Sequence, residues 1–320
     1  MTVAGVRADG SLGLRRYCER LQASLATIGI DYQLGQRPLP ANPAHWHFAN
    51  SSRAAIWLTA SASRPLLLTV HDVRPRTRAL KPAYRGIVHP RLYRRASTVV
   101  VHSRFAADML IADAGVGGHR VRIIPHPASP LPDVARVEAR RLLGWPEDAR
   151  IAVIPGVVKR AKLIEEILSA TETLVRQRRW QLALVGRAAD ERLARSARAA
   201  GALVIADPDD HTYSCAISAA DAILVLRADS VGESNGPLLD ALGAGKAVLA
   251  SCSGSIPEVV GDAALLTPAT TAGIRRGLEA LEDETVRLEL EQNACARRTE
   301  LSWESAAELH AELFAEALGA

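Results

Sequence analysis

A short basic segment in the second half of the chain has the composition of a phosphate-binding loop. Residues 156–162 (GVVKRAK) directly follow an apolar segment and bring together Lys159, Arg160 and Lys162. Cations in a loop at the carboxyl end of a parallel strand can neutralise a diphosphate. Basic residues in a loop are usually solvated, so this segment alone is weak evidence for a phosphate site. It becomes stronger evidence in combination with the helix start described next.

Residues 232–251 (GESNGPLLDALGAGKAVLAS) predict a helix that begins beside a ligand. Pro237 suits the first helical position, and the small residues Ser234, Asn235 and Gly236 leave backbone N–H groups available to that ligand. The positive end of the helix dipole lies at the same point and favours a diphosphate. An ordinary helix start with a capping acid has the same pattern, and that alternative stays open here.

Two carboxylates flank this helix start. Asp240 lies one turn into the helix and, because helical side chains tilt toward the N-terminus, leans back toward the same ligand. Glu233 comes just before the loop. Carboxylates repel phosphate at close range, so both acids are expected to bind hydroxyl groups on either side of the diphosphate.

The first half of the chain offers weaker candidates. A glycine loop, GSLG, begins at Gly10 and ends at Gly13 after the first apolar segment, but it lacks the GxGxxG spacing of a dinucleotide site. His71, in TVHD, ends another apolar segment, where a neutral imidazole can make one directed hydrogen bond. A histidine that caps backbone groups of the sheet edge explains the same position equally well.

Composition limits the class of protein. The chain has 320 residues, 48% of them hydrophobic and 23% charged, which is typical of a globular protein of two domains. No apolar run reaches the roughly 18 residues of a membrane-spanning helix. Arg7 and Asp9 interrupt any secretory signal, and the cysteines show no CxxC spacing. These features predict a cytoplasmic protein without disulfides or a zinc site.

Charge is divided unevenly along the chain. Residues 1–140 carry a net charge of +12 and the rest −8, and residues 73–107 contain nine cations and no acid. Such opposite halves indicate two separate units. A phosphorylated small molecule, an anionic membrane surface or nucleic acid would each suit the basic half, and a solvated arginine-rich face without a partner would explain it equally well.

Short apolar segments alternate with amphipathic ones, which predicts an α/β fold with parallel sheets. Ser103 is expected to cap the helix that follows it. The predicted strands are residues 2–6, 66–70, 98–101, 121–124, 151–154, 181–185, 202–205, 222–226 and 247–251. The predicted helices are residues 15–29, 54–60, 105–112, 163–176, 216–220, 237–242, 270–281 and 302–318.

Four prolines in PHPASPLP divide the chain, because such a segment is neither helix nor central strand. We therefore expect an N-terminal Rossmann-like domain at 1–127, a linker at 128–133, a second Rossmann-like domain at 134–301 and a final helix at 302–320. Ligands of such sheets bind at the carboxyl ends of the strands, so a cleft between the two halves is the expected site.

These segments together resemble a family 4 glycosyltransferase, the retaining, nucleotide-sugar-dependent class with the GT-B fold. TVHD resembles the histidine motif of the family, and RIIPHP its exit into the linker. GVVKRAKLIEEILSA is similar to the phosphate-binding Gly-x-x-Arg-x-x-Lys loop, with Lys159 and Lys162 at the two cationic positions. The region around Asp240 is similar to the Glu-x7-Glu motif, and LSWESAAEL to the closing segment, which in the family crosses back to the first domain.

The resemblance implies two Rossmann-like domains that face each other across a cleft. It implies transfer of a hexose, with retention, from a UDP- or GDP-linked sugar to an acceptor hydroxyl, without a metal ion or other cofactor. The catalytic residues would then be His71, Lys159, Lys162 and Glu233. Donor-binding residues would be Gly10, Gly13, Gly156, Ser234, Asn235, Gly236, Pro237 and Asp240, and acceptor-binding residues Arg74 and Arg76.

The sequence departs from the family pattern at one acid. Asp240 stands at the second glutamate of the motif, but Gly232 stands at the first, and the nearest acid is Glu233. In the family the first acid faces the sugar and the second the ribose. The sugar role of Glu233 is therefore the weaker assignment, and the backbone of residues 234–236 is an alternative.

Three other functions fit parts of the sequence. A glycosyltransferase-like binding subunit without activity would explain the displaced acid, and a sugar-nucleotide epimerase would share the fold. A nucleic-acid binder is the weakest, since only Tyr84 and Tyr93 lie within the basic stretch. If the protein is a glycosyltransferase, the basic stretch at residues 74–95 predicts an acceptor that is anionic or membrane-borne. It also predicts that the protein lies peripherally at the inner face of a membrane.

Overall fold

A computed structural model describes residues 1–7, 12–35, 44–49, 65–75, 81–83, 86–87, 89–132 and 134–319. The chain forms two compact units. Unit 1 comprises Met1–Pro127, Val231–Ser234 and Leu301–Ala320, and unit 2 comprises Ala128–Ser230 and Asn235–Glu300.

Unit 1 contains a parallel sheet of six strands in the order β2-β1-β3-β4-β5-β6. Its strands are apolar and buried because helices cover both faces of a parallel sheet. The strands are β1 (Thr2–Arg7), β2 (Asp31–Gly35), β3 (Ala44–Ala49), β4 (Pro65–Asp72), β5 (Thr98–Val101) and β6 (Val121–Ile123). The helices are Leu12–Thr27, Lys81–Ala83, His89–Tyr93, Arg104–Ala114 and Trp303–Gly319, with a 3₁₀ turn at Gly118–Arg120.

The two faces of this sheet differ in polarity. Alternate residues of β3 point to opposite faces, so Trp46 and Phe48 enter one core, together with Leu110 of helix Arg104–Ala114. On the other face, Leu21 and Phe314 pack in a second core, which joins helix Leu12–Thr27 to helix Trp303–Gly319. The histidines of β3 and β4 lie on this second face, as described below.

Unit 2 contains a second parallel sheet, in the order β12-β11-β10-β7-β8-β9. Counted from its own first strand, this is the 3-2-1-4-5-6 order of a Rossmann fold, and its direction reverses between β7 and β10. The strands are β7 (Ile151–Pro155), β8 (Gln181–Gly186), β9 (Leu203–Ala206), β10 (Ala222–Val225), β11 (Val248–Ser251) and β12 (Leu265–Thr267). The helices are Arg136–Leu143, Ile164–Arg176, Glu191–Ala199, Asp210–Ala219, Gly236–Gly243, Ile256–Val260, Thr271–Ala280 and Glu284–Glu300, with a 3₁₀ turn at Arg160–Lys162.

The predicted α/β class with parallel sheets is confirmed. Every predicted strand is present within one or two residues at each end, and Ser103 caps helix Arg104–Ala114 by accepting a hydrogen bond from Ala106 N at 3.1 Å. The helix predicted at 216–220 is wrong in length, because it begins at Asp210, where the carboxylate of Asp209 caps it. The helix predicted at 54–60 lies outside the described residues.

Two segments lie in a different unit from their neighbours in sequence. Val231–Ser234 groups with unit 1, although it falls inside the range predicted for the second domain. Val73 N and Arg74 N both donate to Val231 O, at 3.0 and 2.9 Å. Leu301–Ala320 also groups with unit 1. Among the residues that the structure describes, no helix is both long and apolar enough to cross a membrane.

Candidate functional site

A small pocket in unit 2 lies where the strand order of the sheet reverses. It is bounded by the carboxyl ends of β7 and β10, the position at which open α/β sheets bind their ligands. The residues that line it are Ile154, Pro155, Lys162, Leu224, Val225, Leu226, Arg227, Asn235 and Pro237.

Two glycines allow the loops of unit 2 to approach this pocket closely. Gly156 has φ +86°, and a Cβ there would lie 2.8 Å from both Lys162 Nζ and Pro237 Cγ. Gly186 has φ +149°, and its Cβ would lie 2.2 Å from Gly156 O. Any side chain at either position would force these segments apart. The basic loop and the helix start predicted from the sequence therefore do meet.

Lys162 is the buried cation of the pocket. It ends the 3₁₀ turn Arg160–Lys162, is 8% exposed, and donates a hydrogen bond from Nζ to the carbonyl of Pro155. Burial is the main cause that lowers the pKa of Lys162 to about 7; the nearby charges of Arg227 and Lys159 act in the same direction, and that of Asp240 opposes them. A bound anion would favour the charged form of this lysine, so the site is built to accept negative charge.

The helix start and its acid adjoin the same pocket. Gly236 and Pro237 open helix Gly236–Gly243, and Asn235 is its cap residue, although its side chain makes no capping hydrogen bond. One turn on, Asp240 Oδ2 accepts a hydrogen bond from Tyr213 OH at 2.9 Å. Tyr213 therefore orients this carboxylate, which leaves it suited to a hydroxyl group rather than to a phosphate.

Arg227 is the residue of this pocket that the sequence analysis missed. It follows β10 by two residues and is held by its backbone, since Arg227 N donates to Ser251 Oγ at 3.0 Å and Arg227 O accepts from Ser253 Oγ at 3.2 Å. Its position as a cation directly after a buried apolar strand is the feature of the sequence that could have identified it. Lys162 and Arg227 thus line one pocket in unit 2, and Lys159 lies near enough to lower the pKa of Lys162.

In unit 1, His71 belongs to a chain of buried hydrogen bonds that runs across the face of the sheet. Successive links measure 2.7, 3.0, 2.7, 3.4, 3.2 and 2.9 Å. We call this the histidine chain. In order, its members are Thr69, His45, Tyr32, His47, His71, His102 and the carbonyl of Ile124.

The carbonyl of Ile124 fixes the direction of the chain. It can only accept, so Nδ1 of His102 carries the proton. Burial lowers the pKa of His102 to about 4, so the ring is neutral and its Nε2 accepts from Nδ1–H of His71. The same argument, repeated, makes His71 Nε2 accept from His47 Nδ1–H. Both ring nitrogens of His71 are thus engaged within unit 1.

Gly5 makes the histidine chain possible. The ring of Tyr32 on β2 crosses over β1 at Gly5 to reach β3, and a Cβ at Gly5 would lie only 2.3 Å from Tyr32 Cε1. Gly5→Ala is therefore expected to displace Tyr32 and destabilise the protein by about 1–3 kcal/mol, which urea unfolding measures. Gly13→Ala is the control, because nothing lies within 4 Å of a Cβ there. A Gly5→Ala protein as stable as the wild type would contradict this packing.

The other predicted residues of unit 1 mostly have partners within the unit. Glu233 is 6% exposed, and its Oε2 accepts from Val231 N at 2.7 Å. The guanidinium of Arg74 holds both carboxylate oxygens of Asp113, with Nη2 to Oδ1 at 3.0 Å, and this pairing raises the pKa of Arg74. Ser234 has a buried hydroxyl without a hydrogen-bond partner.

The remaining predicted site residues lie beside or outside the described residues. Gly13 is exposed at the start of helix Leu12–Thr27, and Gly10 and Arg76 lie outside the described residues. In the described part of the chain, no three histidine, cysteine or acidic side chains are grouped so that they could hold a metal ion.

Comparison with known proteins adds to these observations. Residues 42–130 match the model of Glycosyltransferase Family 4. No curated protein is similar enough in sequence to match the chain.

Solved structures match over the whole length. Sucrose-phosphate synthase from Thermosynechococcus elongatus is 17% identical with a TM-score of 0.80, covering 100% of this chain and 99% of the other. Anabaena HepE, solved with UDP and glucose, is 16% identical with a TM-score of 0.77, at 99% and 100% coverage. A glycosyltransferase from Rickettsia africae is 13% identical with a TM-score of 0.75, at 99% and 98% coverage. The chain therefore has the GT-B fold of these glycosyltransferases, and its residues 42–130 match the model of Glycosyltransferase Family 4.

Proposed function

We propose that the protein is a retaining glycosyltransferase that moves a hexose from a nucleoside-diphosphate sugar, UDP- or GDP-linked, to an acceptor hydroxyl. One observation carries the proposal: Lys162, Arg227 and the start of helix Gly236–Gly243 surround one pocket at the switch point of the sheet in unit 2. The Anabaena neighbour was solved with UDP and with UDP-glucose, which supports a nucleotide-sugar donor.

The pocket supplies electrostatic stabilisation to this reaction. The bond between the anomeric carbon and the diphosphate breaks, and a bond from the acceptor oxygen forms on the same face of the sugar. A phosphate oxygen of the leaving group takes the proton of the acceptor hydroxyl. Negative charge grows on the diphosphate as it leaves, and Lys159, Lys162 and Arg227 with the helix dipole stabilise it. Since these groups carry the charge, we propose that no metal ion is required.

We assign binding and positioning roles to Asp240, Glu233 and His71. Asp240, oriented by Tyr213, is assigned to the ribose hydroxyls of the donor. Glu233 accepts a hydrogen bond from the backbone of its own loop, so we assign it a role in holding the conformation of that loop rather than a contact with the sugar. His71 is assigned to positioning through the histidine chain, because its nitrogens already have partners.

We place recognition of an anionic or membrane-borne acceptor on the basic stretch of unit 1. Because Arg74 is bonded to Asp113, the exposed Arg91 and Arg94 are better candidates among the described residues. Sedimentation with anionic liposomes at low and high salt tests the membrane form of this proposal. Absence of salt-sensitive binding would remove it.

Hydrolysis of the donor, in which water takes the place of the acceptor hydroxyl and receives the sugar, tests the function without knowledge of the acceptor. The protein is incubated with sugar conjugates of UDP, GDP, ADP and TDP, with and without EDTA, and release of the nucleoside diphosphate is measured. We expect release from one conjugate, unchanged by EDTA, with the anomeric configuration retained in the product by NMR. No release from any conjugate would favour an inactive binding subunit, and an inverted product would contradict the retaining mechanism.

A further inference from the structure

Lysine is rare in this chain, which makes its place in the pocket of unit 2 informative. Of the 39 lysine and arginine residues, only four are lysines, at positions 81, 159, 162 and 246. Arginine is the ordinary cation of this protein and could supply a positive charge at position 162 equally well. A buried lysine differs from arginine because its amine can lose its proton and act as a nucleophile.

The surroundings of Lys162 favour this neutral, nucleophilic form. The side chain is 8% exposed, so burial penalises its charge. Arg227 lines the same pocket and Lys159 belongs to the same loop, and both positive charges act in the same direction, against the opposing charge of Asp240. With a pKa of about 7, about half of the amine carries no proton at neutral pH.

One hydrogen bond holds the amine at the wall of the pocket. Nζ of Lys162 donates to the carbonyl of Pro155, and both residues line the pocket. In the neutral amine an N–H group faces this carbonyl, so the nitrogen lone pair points elsewhere and is available to a ligand in the pocket.

The other groups of the pocket select an acyl donor that carries a phosphate. Arg227 and the start of helix Gly236–Gly243 suit a phosphate group. In an acyl phosphate the acyl carbon is bonded to a phosphate oxygen, so binding of the phosphate brings that carbon close to the amine. Asn235 lines the same pocket, and its buried Nδ2, without a hydrogen-bond partner among the described residues, can donate to the acyl oxygen as negative charge develops there.

We propose that Lys162 is a modification site that takes the acyl group of a small acyl phosphate bound in the pocket of unit 2. The nitrogen lone pair attacks the acyl carbon, and the bond from that carbon to the phosphate oxygen breaks. Inorganic phosphate leaves with the electron pair of this bond, and solvent takes the proton that the nitrogen loses. The product is an uncharged amide, which no longer stabilises a diphosphate. This inhibition rests on the proposed function, whereas the acylation does not.

Peptide mapping by mass spectrometry tests the site, because only four lysines compete in this chain. The protein is incubated with acetyl phosphate near neutral pH, with and without excess pyrophosphate, and acetylation of each lysine is followed over time. We expect Lys162 to react at least about tenfold faster than Lys246, and pyrophosphate to protect Lys162 alone. Turnover of the sugar nucleotide should fall in proportion to acetylation of Lys162.

Lys246 is the matched control within the same unit. Burial lowers its pKa to about 8, so it is also a reactive amine, but its Nζ donates to the carbonyls of Ser218 and Ala220. Arg227→Ala should slow acetylation of Lys162 at least about tenfold and leave that of Lys246 unchanged, since it removes a phosphate-binding cation from the pocket alone. Lys246→Arg should be inhibited by acetyl phosphate as strongly as the wild type.

Acetyl-CoA is the matched control for the acyl donor. It carries the same acetyl group, but on a thioester far from its phosphates, so most of the preference for Lys162 should be lost. An equal preference with acetyl-CoA would mean that the lysine reacts without a bound phosphate and would contradict the proposal.

Labelling of Lys162 no faster than that of Lys246, or labelling that pyrophosphate leaves unchanged, would also overturn the proposal. A protein that is acetylated at Lys162 but turns over no sugar nucleotide before treatment would instead refute the proposed function and leave the modification site standing.

Discussion

Lys162→Ala is expected to lower turnover of the sugar nucleotide by at least about 100-fold, the scale of losing one preorganised donor in the transition state. Lys162 is 8% exposed and lines the pocket with Arg227 and Asn235, so water cannot readily replace its charge. Steady-state kinetics of diphosphate release measures the effect. Wild-type turnover in the variant would show that the phosphate assignment is wrong.

The lowered pKa of Lys162 gives the same prediction a pH dependence. With a pKa of about 7 in the free protein, the lysine loses its charge as the pH rises through that value. kcat/KM, which reports groups of the free enzyme, should therefore fall above about pH 7, and this limb should be absent in Lys162→Ala.

Lys246→Ala is the matched control for Lys162→Ala. Lys246 is a half-buried lysine of unit 2, but its Nζ donates to the carbonyls of Ser218 and Ala220, at 2.7 and 3.2 Å, away from the pocket. Its loss should lower the melting temperature and leave turnover largely intact. Equal loss of turnover in both variants would mean that Lys162 acts through stability alone.

Acid is expected to destabilise the protein steeply below pH 6.5 through the buried histidines of unit 1. Burial lowers the pKa of His102 and of His310 from 6.5 to about 4, and those of His45, His47 and His71 fall well below 6.5 for the same reason. The unfolded chain takes up protons that the folded chain excludes, so stability present above pH 6.5 is lost as the pH falls toward 4.

The expected size of this effect is large. Each such histidine contributes about 1.4 kcal/mol per pH unit, so His102 and His310 alone remove roughly 5 kcal/mol between pH 6.5 and 4.5. Urea unfolding at several pH values measures the slope, which His310→Gln should reduce. His119→Gln, at an exposed histidine, is the control and should leave the slope unchanged. Constant stability from pH 7.5 to 5 would contradict the buried histidine chain.

Much of the fold was predictable because its strands are short apolar runs between clear breaks. Three strands and several helices were not predicted, for physical reasons. β2 (DYQLG) and β3 (AHWHFA) carry polar residues that bond across the sheet, so their apolar pattern is interrupted. Helix Glu284–Glu300 buries only Leu290 and Ala294. With so few apolar residues on one face, its sequence pattern cannot be distinguished from that of a charged loop.

The pocket was predictable in part. The sequence placed Lys159, Lys162 and the helix start at Gly236 near one ligand, because loop cations and a Pro-led helix are local signals. It could not show that Arg227 joins them, since that depends on β10 lying beside β7. The histidine chain was also invisible, because it links residues from β2 to β6 that are neighbours only across the sheet.

The central claim is that the pocket at the switch point of unit 2 binds the diphosphate of a sugar nucleotide. A thermal-shift panel with UDP, GDP, ADP and TDP, run on the wild type and on Lys162→Ala, tests it most directly. A ligand at 100 times its dissociation constant should stabilise the wild type by about 2.7 kcal/mol. We predict a shift with one nucleotide in the wild type and its loss in Lys162→Ala. No shift with any nucleotide, or an equal shift in both proteins, would contradict the claim.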